Sequence, residues 1–118
     1  MSIKKESLIK IRIQLKDNFH IGPGKVLLLE KINETGSISK AAESMGLSYR
    51  KAWRLVNELN KYSIKKLVNA KPGGQGVRGA HLSEEAKEFI KLFKKIEKSF
   101  TVLTAKEKKD LEKIFGKI

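Results

Sequence analysis

Arg50, Arg54, Asn57 and Lys61 stand at i, i+4, i+7 and i+11, so on a helix they share one face, with Lys51 beside them and Ser48 and Tyr49 at its entrance. Guanidinium and ammonium groups donate to guanine edges and to phosphates, and the N-terminal residues of such a helix reach base edges when it lies in a major groove. Basic residues on an exposed helix also serve merely to solvate it. Here Glu58 alone opposes Arg50, Lys51, Arg54 and Lys61, an imbalance that solvation does not require.

A second stretch suggests different chemistry. "PGGQGVRG" at 72–79 contains G-x-G-x-x-G at Gly74, Gly76 and Gly79, the pattern of a dinucleotide phosphate cradle. That cradle needs a strand running directly into a helix within a βαβ unit. In this chain "AHL" and Ser83 intervene before the next helix, so the glycines read instead as the tip of a hairpin formed by "IKKLVNAK" and "AHL". No acid lies between Glu58 and Glu84, whereas Lys61, Lys65, Lys66, Lys71 and Arg78 all do. The hairpin is therefore a basic wing over about 64–82. Its glycines let the backbone approach a phosphate or enter a minor groove, where Gln75 and Arg78 would insert.

These residues need a scaffold to hold them. "LIKIRIQL" at 8–15 alternates, placing Ile9, Ile11, Ile13 and Leu15 on one face of a half-buried strand that breaks at Gly22-Pro23-Gly24. A helix over about 25–35 carries Val26, Leu28, Leu29 and Ile32 inward and stops at Gly36. Ser37 or Ser39 caps a short helix ending at Gly46, with Lys40 in its first turn, and Ser48 caps the recognition helix over about 48–61. With Gly46 as the turn, Ala42 sits at the closest approach of the two helices, and Ala41, Met45, Leu47, Ala52 and Leu55 form their shared core. Trp53 is assigned to packing, Tyr49 to a phosphate contact and His81 to structure. Ser83 with Glu84 and Glu85 starts a helix running to about 102, and Thr104 with Glu107 resembles a capping box for a short last helix. Phe89, Phe93, Ile96, Phe100 and Leu103 recur at heptad spacing, a seam for homodimerisation. The expected fold is mainly α with a small β-sheet (α+β): a winged helix-turn-helix over 1–82 and a long C-terminal helical dimerisation segment over 83–118.

Bulk composition narrows the function. The chain has 118 residues with 26 Lys+Arg against 13 Asp+Glu, a net charge of +13 that concentrates polyanions around it. It has no Cys, and His20 and His81 lack ligand spacing, so neither a metal nor a cofactor is expected. No nucleophile–base pair or paired carboxylates in an apolar setting point to an enzyme. No apolar run approaches the ~18 residues of a membrane span, and "MSIKKESLIK" lacks a signal-peptide apolar region, which suggests the cytoplasm, associated with the nucleoid.

The run "LLEKINETGSISKAAESMGLSYRKAWRLVNELN" at 28–60, with its Gly36-Ser37-Ile38-Ser39 and Ser48-Tyr49-x-x-Ala52-Trp53 signatures, and the wing "PGGQGVRGAHLS" at 72–83 resemble the N-terminal DNA-binding domain of ModE-type molybdate-responsive regulators. The resemblance covers about residues 7–103. The helix-turn-helix alone is also similar to LysR-type regulators. What the ModE resemblance implies is a winged helix-turn-helix that dimerises on an inverted-repeat operator in double-stranded DNA, with 37–42 and 48–54 as its reading head. ModE-type regulators carry oxyanion-binding domains, and none is expected in this chain. Two readings stay open: a site-specific dimeric regulator, or an architectural protein that coats DNA through charge.

Overall fold

The computed structural model describes residues 10–71 and 79–115, the side chains of 102–105 excepted. The element order is β1 (Ile13–Lys16), β2 (Phe19–Ile21), α1 (Pro23–Thr35), α2 (Ile38–Met45), α3 (Tyr49–Tyr62), β3 (Val68–Ala70), β4 (Ala80–Leu82) and α4 (Glu84–Phe115). It is an α+β winged helix.

α1 is the central post. Leu28, Leu29 and Ile32 are wholly buried among side chains of α2, α3, the β3–β4 hairpin and α4, each such burial contributing on the order of 1.5–3 kcal/mol before entropy is counted. The helix ends where Gly36 adopts φ 69° and returns its N–H to the Ile32 carbonyl at 2.7 Å. The Gly36 carbonyl then accepts from Ala80 N–H at 3.1 Å, fastening the wing to the turn that starts the helix-turn-helix.

The first hairpin departs from the alternation read in the sequence. β1 begins only at Ile13, and Phe19–Ile21, just before the Gly22-Pro23-Gly24 break, forms its antiparallel partner. Pairing runs Ile13↔Ile21, Gln14↔His20 and Lys16↔Phe19, so Leu15 is an extra residue in a bulge. The bulge leaves Leu15 without a cross-strand partner. Leu15 lines the same groove as Ile13 but is 54% exposed where Ile11 and Ile13 are half-buried, while Phe19 supplies the buried anchor and stacks on Tyr62 at 4.6 Å. Ile9 lies outside the described residues.

α4 is one unbroken helix rather than two. The Thr104/Glu107 signature does not start a new element, because no Gly or Pro interrupts 84–115 and the backbone there keeps its i→i−4 partners. Ser83 Oγ accepts from Ala86 N–H at 3.2 Å and caps the start. The first turns belong to the core: Ala86 is fully buried, Phe89 and Ile90 pack against the central cluster, and Phe93 is 1% exposed. Lys94 joins the helix to Glu30 of α1 at 2.7 Å. Every residue from 106 to 115 is exposed.

Between α3 and the wing stands a side chain that the sequence reading passed over. Asn60 donates from Nδ2 to the Val68 carbonyl at 2.9 Å, and its Oδ1 accepts from Leu67 N–H at 2.9 Å and Val68 N–H at 3.1 Å. These half-buried bonds bolt β3 to the end of α3. Asn60→Ala is expected to cost about 2–3 kcal/mol, from lost bonds and two stranded N–H donors, and thermal unfolding should show a Tm lowered by roughly 10 °C. Asn60→Asp, which keeps the acceptor, should lose less.

Candidate nucleic-acid interface

α2 and α3 meet as the small residues between them allow. Ala41, Ala42 and Ala52 are buried to 2% exposure or less, and Met45, Leu47 and Leu55 pack half-buried around them. Gly46 turns the chain with φ 68°, a left-handed conformation that strains any residue with a Cβ, and its N–H is shared by the Ala42 and Glu43 carbonyls. Ser37, not Ser39, caps α2 by accepting from Lys40 N–H at 3.1 Å, and Ser48 caps α3 by accepting from Lys51 N–H at 3.0 Å. Both hydroxyls shape the helix starts through their oxygens and keep their O–H donors. Ser39 and Lys40 are exposed on α2.

On α3 the inner face is Ala52, Val56 and Leu59, and the outer face presents Arg50, Lys51, Arg54, Asn57 and Lys61, all exposed. The structure thus gathers the predicted row on one surface. Tyr49 is 51% exposed and stands edge-on to Trp53 at 6.1 Å, while Trp53 packs half-buried against the core. Lys61 lies over the Tyr62 ring at 5.3 Å. Lys65 and Lys66 are exposed on the connection to β3, and Lys65 pairs with Glu85 of α4 at 3.7 Å, which offsets part of the wing's charge. The wing strands pair Val68↔Leu82, Asn69↔His81 and Ala70↔Ala80, with Lys71 N–H on the Gly79 carbonyl at 2.7 Å extending the ladder and the Lys71 side chain exposed. Gln75 and Arg78 lie outside the described residues.

Along the proposed dimer seam the residues separate. Phe93 is sealed inside its own chain and offers no surface to a partner, while Phe89 meets it edge-on at 6.3 Å and is half-buried against the core. The heptad count could not tell an inward seam from an outward one. Ile96 is half-buried, Phe100 is 46% exposed, and the Leu103 side chain lies outside the described residues. The outward apolar residues that the count omitted are Leu92, Leu111, Ile114 and Phe115, all more than half exposed.

No family model matches the chain. It is 36% identical over 85 residues to the transcriptional regulator ModE of Yersinia pestis, covering 72% of this chain and 32% of that protein. To the DNA-binding transcriptional dual regulator ModE of Escherichia coli K12 it is 34% identical over 100 residues, 81% of this chain and 38% of the other. The molybdenum-pterin-binding protein MopB of Rhodobacter capsulatus is 37% identical over 91 residues, 77% and 34% of the two chains. Over this shared part the chain is ModE-like. It spans about a third of the length of the curated relatives it matches.

One cluster of the ModE-like chain was not legible as a site. The Lys25 ammonium is buried, donating to the His20 carbonyl at 2.6 Å, pairing with Glu58 at 3.1 Å and lying 4.9 Å over the Phe19 ring. Glu58, the lone acid of the recognition helix, is thereby taken from its outer face. Beside it, Arg12 and His20 Nδ1 are 3.2 Å apart. A guanidinium only donates, so Nδ1 is the acceptor and the ring proton sits on Nε2. The sequence alternation had marked Arg12 as outward-facing but supplied no partner for it. Among the described residues no helix is long and apolar enough to cross a membrane.

His20 is held below its ordinary pKa of 6.5 by desolvation, then by the charges of Lys25 and Arg12, with Glu58 opposing. The unfolded chain therefore takes up this proton first. Its contribution is intact above pH 6.5 and is lost as pH falls below that value. Chemical denaturation between about pH 7.5 and pH 5.5 should show stability falling toward the acid side, with a smaller fall in His20→Gln; equal slopes would remove His20 as the cause.

Proposed function

We propose that this chain is the DNA-binding part of a ModE-like transcription regulator and that it reads an inverted-repeat operator as a homodimer. The observation carrying the reading is the outer face of α3: five exposed side chains, Arg50, Lys51, Arg54, Asn57 and Lys61, on a helix whose one acid is withdrawn into an internal pair. The similarity to the transcriptional regulators of Yersinia and Escherichia supports it. In this reading α3 enters the major groove, Ser39, Lys40 and Tyr49 border its entrance, and Lys65, Lys66 and Lys71 follow the phosphates with Gln75 and Arg78 at the wing tip.

Support for the homodimer comes from α4. A helix that extends beyond its own core with Leu92, Leu111, Ile114 and Phe115 exposed gains by pairing with a second copy. An apolar groove of about 450 Å³, bordered by Leu15, Ile21, Phe89, Leu92 and Ile96, lies beside it and would widen that contact. The competing reading, a protein that coats DNA, draws on the charge of +13.

Selection of duplexes from a random pool at ~150 mM salt separates the two, because charge-driven binding fades with salt while base readout persists. One inverted repeat is expected; tight binding at low salt without a motif would mean coating. Arg50→Ala and Arg54→Ala should relax discrimination by ~1–3 kcal/mol at the bases they read. Lys65→Ala with Lys66→Ala should weaken all duplexes alike. In sedimentation, Leu92→Asp with Leu111→Asp should convert dimers to monomers, and an unchanged dimer would place the interface elsewhere.

A further inference from the structure

Alongside the base-facing side of α3 lies an open concavity of about 410 Å³ whose wall includes Arg12, His20, Lys51 and Arg54, with Lys25 and Glu58 more buried. Its charge is a product of the tertiary structure. Glu58 is the acid on this wall, and its carboxylate is engaged by Lys25. Arg12, Lys51 and Arg54 have no acidic partner among the described residues. Three cations therefore face one hollow without a compensating anion, and His20 Nδ1 orients the Arg12 guanidinium from 3.2 Å. A guanidinium held by one edge keeps its remaining N–H groups for a second acceptor, and a phosphate's oxygens suit that fork.

We infer that this concavity cradles a backbone phosphate of the bound duplex, with Arg12 making the contact and His20 positioning it. The inference rests on the reading of α3 as a DNA-binding helix. Lys51 and Arg54 belong both to the hollow and to the α3 outer face, so whatever fills the hollow lies directly beside what α3 binds. A major groove is bordered by phosphates on both sides, and a side chain just off the reading face meets them. Arg12 precedes β1 and is remote in sequence from the helix-turn-helix, so the first hairpin becomes a third DNA-facing element besides α3 and the wing.

The test uses the full chain and a random-sequence duplex pool, with affinity measured from ~100 to ~300 mM salt. Arg12→Ala should weaken binding to all duplexes alike by roughly 5–10-fold at ~150 mM and lower the slope of log K against log salt by about one. Arg12→Lys should keep the slope while recovering only part of the affinity, since it keeps the charge and loses the fork. Arg12 is exposed, and Arg12→Gln serves as a second variant should the alanine form unfold. Unchanged affinity and slope overturn the cradle; if inorganic phosphate alone then titrates the Arg12 and His20 resonances, the ligand is a free oxyanion. Loss confined to particular sequences also overturns it, by making Arg12 a base reader. A wild-type chain that binds no duplex at any salt defeats the DNA reading itself and this inference with it.

Discussion

Burying an ammonium group requires that every nearby polar atom be arranged around it, and Lys25 imposes that arrangement on three elements at once. Its partners are the His20 carbonyl on β2, the Glu58 carboxylate on α3 and the Phe19 ring, while its own backbone lies in the first turn of α1. A buried cation that loses its partners costs several kcal/mol, so the arrangement is held tightly even though the pair adds little net stability over an apolar replacement. Its value lies in position. The point where hairpin, first helix and recognition helix meet sets how α3 stands relative to the rest of the chain, and it draws the one acid of α3 away from the surface where an anion would bind.

Two residues beyond Glu58, α3 is held by neutral hydrogen bonds as well. Asn60 ties it to β3, and the Gly36 carbonyl ties β4 to the turn between α1 and α2. α3 and the wing are thus fixed to each other through short polar links in addition to the core shared by Val56, Leu59, Val68 and Leu82. A basic wing is useful only if its strands keep a set angle to the helix, and a few directional bonds achieve this with three-residue strands that could not stand alone.

α4 serves two environments in succession. Ala86, Phe89 and Ile90 complete the core that α1 begins, and farther along the same helix Phe100, Leu111, Ile114 and Phe115 are exposed. The heptad spacing read from the sequence therefore joins a sealed Phe93 to an exposed Phe100. Continuity of the helix couples the two, since a rigid rod packed at one end carries the other in a defined direction.

Local chemistry accounts for what the sequence determined alone. Glycines at 36 and 46 stop helices because they accept left-handed backbone, Ser37, Ser48 and Ser83 start them because their hydroxyls accept orphan N–H groups, and the period of α3 separates Ala52, Val56 and Leu59 from Arg50, Arg54, Asn57 and Lys61. The helix-turn-helix, the wing strands and the basic face were legible for that reason. What the sequence left open depended on distance in space. Leu15 lost its cross-strand partner because a bulge altered the register, Phe93 of the heptad row is sealed inside the chain while Phe100 stands exposed, and Thr104 with Glu107 failed to break a helix whose backbone was already satisfied. The pairing of Lys25 with Glu58 and the hollow walled by Arg12, His20, Lys51 and Arg54 join residues far apart in the chain. No periodicity encodes such contacts, because burial and electrostatic neighbours exist only once the elements have packed.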